Sequence, residues 1–182
     1  ALDLMNIDRA IEIAKEAVAG GATWIEAGTP LIKSEGMNAV RKLRKTFPDL
    51  TIVADMKTCD AGSVEVEMAA RAGANVVFML GISDDSSVRE AVLAGKKYGV
   101  KVGADLIDVK DPINRAIELE KMGIDIICSH VGLDQQVLGV NPIDVVAKIS
   151  EACSPNVIIA AAGGLNSETA VKAFEAGAQL II

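Results

Sequence analysis

Aromatic side chains are nearly absent from this chain: one Trp, one Tyr and three Phe make up 3% of its 182 residues. Together with a formal net charge of −7, that scarcity argues against a nucleic-acid surface, which needs basic stripes and stacking rings. Cysteine is equally sparse. Cys59, Cys128 and Cys153 are an odd number with no CxxC or other metal spacing. They read as reduced thiols of a cytoplasmic protein, with Cys59 a packing residue. Apolar residues make up 51%, yet no uncharged run is long enough to span a bilayer, so no membrane partner is expected. Nothing at the start reads as a basic-then-apolar leader. No low-complexity linker divides the chain, and its length suits one domain over residues 1–182 with a sizeable core.

What is abundant is repetition. Gly21, Gly73, Gly123 and Gly177 each precede a strand-like run, at separations of 52, 50 and 54 residues. The contexts match: Gly21-Ala22-Thr23-Trp24-Ile25, Gly73-Ala74-Asn75-Val76-Val77, Gly123-Ile124-Asp125-Ile126-Ile127 and Gly177-Ala178-Gln179-Leu180-Ile181. Each glycine ends a helical pattern. A second strand family lies between them, at Ala1–Leu4, Thr51–Met56, Val100–Ile107 and Val157–Ala162. Amphipathic helices fill the gaps; Asp111-Pro112 and Asn141-Pro142 are cap-then-proline starts. Four strand–helix–strand–helix repeats predict eight parallel strands and a (β/α)8 TIM barrel. A doubly wound open sheet is the alternative, disfavoured by the fourfold regularity and the lack of a GxGxxG turn. The first strand has four residues and the last reaches Ile182, so the barrel is expected to be clipped at both ends of this chain.

Asp55-Met56-Lys57-Thr58-Cys59-Asp60 stands where an apolar strand runs out. Strand alternation turns Val53, Asp55 and Lys57 to one face. Asp3, Asp55 and Asp105 recur at steps of 52 and 50, so side chains from alternate strands should bring them together at the barrel mouth. Glu26 and His130, the only histidine, end two further strands. Several carboxylates around one mouth repel one another unless cations intervene. Lys57 supplies one charge, and with oxygen donors Mg²⁺ is the natural second cation. Flanking aspartates keep Lys57 charged, which disfavours a Schiff base and favours stabilising an enolate-like intermediate. Gly163 and Gly164 follow a strand and open a helix, where barrels often hold phosphate on loop N–H groups and a helix N-terminus.

These residues resemble the orotidine 5′-monophosphate decarboxylase suprafamily, marked by Asp-x-Lys-x-x-Asp at the end of the third strand. Within it the chain is most similar to the 3-hexulose-6-phosphate synthases, through Ala1–Leu4, Trp24–Ile32 and His130–Gln136 as well as the hexapeptide. The resemblance implies a Mg²⁺-dependent aldehyde-lyase joining formaldehyde to D-ribulose 5-phosphate, or the reverse. It further implies Glu26 and Asp55 as metal ligands, Lys57 as enediolate stabiliser and His130 as proton carrier. Asp3 and Asp105 would bind substrate hydroxyls, and Gly163 and Gly164 phosphate. Asp60 would reach the partner's site across a homodimer interface. The sibling 3-keto-L-gulonate 6-phosphate decarboxylase typically has arginines after the histidine, where this chain has Val131, Gly132 and Leu133.

Plainer readings stand beside these. Asp60 also suits the N-cap of a helix over Ala61–Ala72, and Lys57 a structural ion pair with Asp55. Asp3 and Asp105 suit solvated or structural carboxylates, Glu26 a partner for Lys57, His130 a satisfied histidine, and Gly163-Gly164 a tight turn. Glu65, Glu67 and the Arg41-Lys42/Arg44-Lys45 run read as solvated helix faces. From another functional class, a non-catalytic sugar-phosphate-binding or scaffold domain of a fusion protein is the alternative.

Overall fold

The computed structural model describes residues 1–136 and 143–182. After α1 (Ile7–Ala19) comes β1 (Trp24–Ala27); α2 (Thr29–Glu35) and α3 (Asn38–Thr46) lead to β2 (Thr51–Thr58). Then follow α4 (Gly62–Ala72), β3 (Val76–Leu80), α5 (Asp85–Tyr98) and β4 (Lys101–Asp105). Next are α6 (Pro112–Met122), β5 (Ile126–His130), α7 (Leu133–Gln136), α8 (Ile143–Ala152) and β6 (Ile158–Ala162). The last pair is α9 (Ser167–Glu175) and β7 (Leu180–Ile181). The seven strands form one parallel sheet in chain order, as crossover helices between strands require. This is the predicted TIM-barrel architecture, with one difference among the described residues. Ala1–Leu4 contributes a single parallel bridge, Leu2 to Ala27, in place of a full eighth strand. Asn6 then caps α1 by accepting from Arg9 N, which turns the chain out of the sheet. The Asn141-Pro142 start lies outside the described residues.

The glycine repeat fastens the sheet in a way the glycines alone do not reveal. Two residues beyond Gly73, Asn75 N donates to Ile52 O at 2.7 Å and Asn75 Oδ1 accepts from Ile52 N at 2.9 Å. Asp125 does the same with Val102, at 2.9 and 2.8 Å. Gln179 repeats it with Ile159, at 2.8 and 3.1 Å. Each polar side chain satisfies an N–H at the start of the preceding strand and fixes that strand's register against the next. Arg44 is no solvated charge either: its guanidinium reaches Gly73 O, Pro48 O and Leu50 O, each at 2.9 Å, and Asn75. It ties the turn before β2 to the turn before β3.

Alternation along the strands separates two cores. Ile52, Ala54, Val77, Met79 and Ile127 face the helices. Val53, Val76, Phe78, Ile126, Cys128, Ala160 and Ala162 face the barrel interior. Gly103 belongs to that inner face; a Cβ there would lie 2.5 Å from the Phe78 ring, so its bareness makes room for that ring.

Asp125→Ala should strand the Val102 N–H and cost about 1–3 kcal/mol of unfolding free energy, measured by urea denaturation. Asp125→Asn keeps an acceptor oxygen and should cost much less; equal losses in both would show that the clip contributes nothing.

Candidate active site

Above the apolar floor four of the strands turn ionisable within two residues. Trp24 gives way to Glu26 on β1, Val53 to Asp55 on β2, Gly103 to Asp105 on β4 and Cys128 to His130 on β5. The end of β2 is where the backbone departs from regularity. Asp55 pairs with Phe78 and Thr58 with the next residue, Met79, so Met56 and Lys57 bulge out of the ladder. Lys57 takes φ 46°, in the left-handed region, a conformation costing a residue with a Cβ about 1–2 kcal/mol. Simple alternation therefore breaks at Lys57, and the bulge re-aims its side chain.

That side chain lands between two carboxylates. Lys57 Nζ lies 3.0 Å from Asp55 Oδ2 and 2.6 Å from Asp105 Oδ2. Burial alone would lower the pKa of this ammonium, but Asp55 and Asp105 reverse the effect and hold it above the ordinary lysine range. His130 Nδ1 meets the same Asp105 Oδ2 at 2.7 Å, and Ile107 N donates to Asp105 Oδ1 at 2.9 Å. Burial works to raise Asp105, yet the His130 and Lys57 contacts win and keep it below the usual aspartate value. Asp105, 3% exposed, is thus a buried anion holding two cationic or protonic groups in place.

Glu26 is in the opposite position. Burial first, and then the charge of Asp55, push its pKa up to about 8, against a smaller opposing effect of Lys57. Its carboxyl has acidic neighbours and too little cationic compensation. This fits a divalent ion held by Glu26 and Asp55, since Mg²⁺ takes one or two protein carboxylates and fills its shell with substrate and water. No cluster of three or more His, Cys, Asp or Glu side chains able to hold a metal occurs among the described residues.

A cleft of about 860 Å³ opens over this ring, lined by Asp3, Glu26, Asp55, Lys57, Asp105, His130, Gly163 and Gly164. Every predicted site residue is there except Asp60. Asp3 packs so tightly on Gly28 that a Cβ would lie 2.1 Å from Asp3 Oδ1. Asp60 is exposed and outside the cleft lining. It does not cap α4 either: Ala61 occupies the N-cap with φ 52° and no side-chain bond. Cys59 is exposed rather than packed. Glu65, expected in solvent, is half-buried and accepts from Thr58 Oγ1.

Gly163 and Gly164 have φ of 96° and 69°, and a Cβ on Gly163 would sit 2.1 Å from Val131 O. Only glycine fits that turn. The expected helix N-terminus is otherwise engaged: Asn166 Oδ1 accepts from Glu168 N and Thr169 N in a capping box. Loop N–H groups, not the end of α9, are what this turn offers an anion.

Thr29 and Lys33 also line the cleft from α2, and neither is among the site residues expected from the sequence. Cys128 also reaches the cleft, two residues before His130 on the same face, a position alternation alone would have flagged. Burial, then Asp105 and Glu26, hold its thiol well above its ordinary pKa, and it packs with the inner core.

A model described as the orotidine 5'-phosphate decarboxylase / HUMPS family matches residues 1–182. The chain belongs to that family. Among its relatives, the 3-hexulose-6-phosphate synthase of Bacillus subtilis (strain 168) is 38% identical over 182 residues, covering 100% of this chain and 86% of that protein. A crystal structure of 3-hexulose-6-phosphate synthase matches with a TM-score of 0.92 at 36% identity, covering 100% and 86% of the two chains. A crystal structure of KGPDC from Streptococcus mutans matches with a TM-score of 0.87 at 26% identity, covering 100% and 84%. Relatives of the first name come from several bacteria. With the structural match they mark this member of the HUMPS family as a lyase-type enzyme.

The Glu26 shift has a measurable sign. Its folded-state pKa of about 8 lies above the ordinary 4.5, so stability present below the lower value is lost as pH rises through the higher. In EDTA, the melting temperature of Glu26→Gln should therefore gain on the wild type steadily from pH 5 to pH 8. A difference that stays constant over that interval would contradict the assignment.

Proposed function

We propose that the enzyme catalyses Mg²⁺-dependent aldol addition of formaldehyde to D-ribulose 5-phosphate, giving D-arabino-hex-3-ulose 6-phosphate, or the reverse cleavage. The observation carrying this reading is the Lys57 ammonium fixed between Asp55 and Asp105, with His130 on the same Asp105 oxygen. The addition begins with loss of a proton from C1 of the ketose. With its Nδ1–H donated to Asp105, His130 keeps Nε2 to accept that proton and to return one to the new alkoxide. The resulting 1,2-enediolate places negative charge on O1 and O2. Lys57, preorganised and charged, offers a donor there without reorganisation. Its C1 then attacks the formaldehyde carbon, forming the new C–C bond. Mg²⁺, held by Glu26 and Asp55, would supply further positive charge against the substrate's carbonyl and neighbouring hydroxyl oxygens. Asp3 would bind a substrate hydroxyl. The same role for Asp105 would have to share oxygens already engaged by Lys57, His130 and Ile107 N. Gly163 and Gly164 would contribute N–H contacts to the phosphate.

The remaining parts of the reading are a cytoplasmic protein and a homodimer in which Asp60 serves the partner's cleft. Supporting the dimer, Asp60 is exposed at the start of α4, near Val64 and Met68, which are 56% and 46% exposed. No helix among the described residues is long and apolar enough to cross a membrane. KGPDC chemistry is not preferred, because Val131 and Gly132 stand where that enzyme's arginines are expected.

Formaldehyde consumption in the presence of ribulose 5-phosphate should require Mg²⁺ and fall to background in EDTA. Full turnover without metal would reverse the reading, and faster CO₂ release from 3-keto-L-gulonate 6-phosphate would favour the decarboxylase. Borohydride added during turnover should leave Lys57 unmodified by mass spectrometry; a trapped adduct at Lys57 would replace the electrostatic role with a Schiff base.

A further inference from the structure

The bulge that aims Lys57 is held at both ends by hydroxyls from outside its own strand. Thr29 Oγ1, on α2, contacts Asp55 O at 3.0 Å and Asp55 Oδ2 at 2.8 Å. Ser83 Oγ, in the loop between β3 and α5, donates to Thr58 O at 3.2 Å. The two carbonyls bracket Met56 and Lys57, the residues that leave the β2–β3 ladder. Both hydroxyl residues are buried, at 8% and 3% exposure. The Ser83 loop is in turn pinned from α6: Arg115 Nε donates to Gly81 O at 2.7 Å and Nη2 to Ser83 O at 2.8 Å. Arg115 is itself fixed by Asp85 and Glu118, at 2.7 and 2.8 Å.

We infer that Thr29 and Ser83 are positioning residues for the reaction, clamping the left-handed bulge so that Lys57 Nζ stays between Asp55 and Asp105. The physical need is plain. A residue with a side chain held in the left-handed region persists there only where surrounding contacts over-determine it. A strand-paired Lys57 would follow alternation from a different backbone direction, and its 2.6 Å contact with Asp105 would be lost. Thr29 lines the cleft with its hydroxyl turned onto Asp55, and Ser83 is not among the cleft-lining residues. Thr29 also turns the Asp55 carboxylate toward the cleft, as outer contacts of a metal ligand do. Arg115, on the far side of the Ser83 loop, extends the support to α6 without approaching the chemistry.

This inference rests on the proposed reaction only for its kinetic arm, and its test has a second arm that does not. Thr29→Val and Ser83→Ala remove one hydroxyl each. Thr29→Ser and Ser83→Thr retain it. In the aldol assay each deletion should lower kcat at least tenfold with KM changed less than threefold, and the hydroxyl-retaining variants should recover most of it. In parallel, the proteins are treated with acetic anhydride and acetylation is read by mass spectrometry, with exposed Lys33 as internal reference. Lys57 in the wild type should be strongly protected, and either deletion should raise its labelling several-fold, while circular dichroism melts confirm that the variants are folded. Wild-type labelling together with wild-type kcat in both deletions would overturn the inference. If the wild type shows no aldol turnover, the proposed reaction fails, and the labelling pattern alone decides whether the hydroxyls hold Lys57.

Discussion

Asp105 is the charge on which the site depends. It is buried at the top of β4 and satisfied by three groups from three directions: Lys57, His130 and the Ile107 N–H. A buried carboxylate with one partner is costly; one whose oxygens are all occupied rigidifies what surrounds it. With Asp55, Asp105 keeps Lys57 charged, and it holds His130 through Nδ1. The ammonium and the imidazole are thus set at a fixed spacing by a single anion.

The barrel supplies the other half of this arrangement. Its interior is apolar up to Trp24, Val53 and Cys128 and ionisable immediately beyond, at Glu26, Asp55 and His130. The change comes within one alternation step on four strands, so the charges lie over a low-dielectric floor where their interactions are strong. Two kinds of carboxylate result. Asp105 has protein cations and stays ionised. Glu26 lacks them, and burial beside Asp55 raises its pKa to about 8. Acidic neighbours whose proton affinities are pushed apart within one cleft are a feature of functional sites.

Much of this was legible in the chain because parallel strands and a repeat of about fifty residues force equivalent positions to equivalent places. Asp3, Asp55 and Asp105 could be placed in one mouth by arithmetic, and Glu26 and His130 by their position at strand ends. What escaped was set by tertiary contacts. Asn75, Asp125 and Gln179 repeat with the glycines but differ in residue type, so the shared hydrogen-bond pattern shows only once their partners are known. Nothing in sequence distinguishes Ser83 from any loop serine, or Arg44 from its solvated neighbours. The bulge at Lys57 was hidden for a related reason: alternation gives the same answer for its face, while the backbone reaches it by another route.

That alternative route has a functional logic. A lysine continuing a regular strand would stand two residues above Asp55 and point along the barrel axis, free to sample the cleft. By adopting a left-handed conformation, the chain folds the ammonium back onto Asp55 and across two strands to Asp105. The cost falls on the backbone, and the long side chain is held in one place by its two carboxylate partners. Strain of this kind persists only where surrounding structure over-determines it. Here that structure is spread over α2, the loop after β3, and α6, which explains why residues so far apart in sequence meet around one lysine.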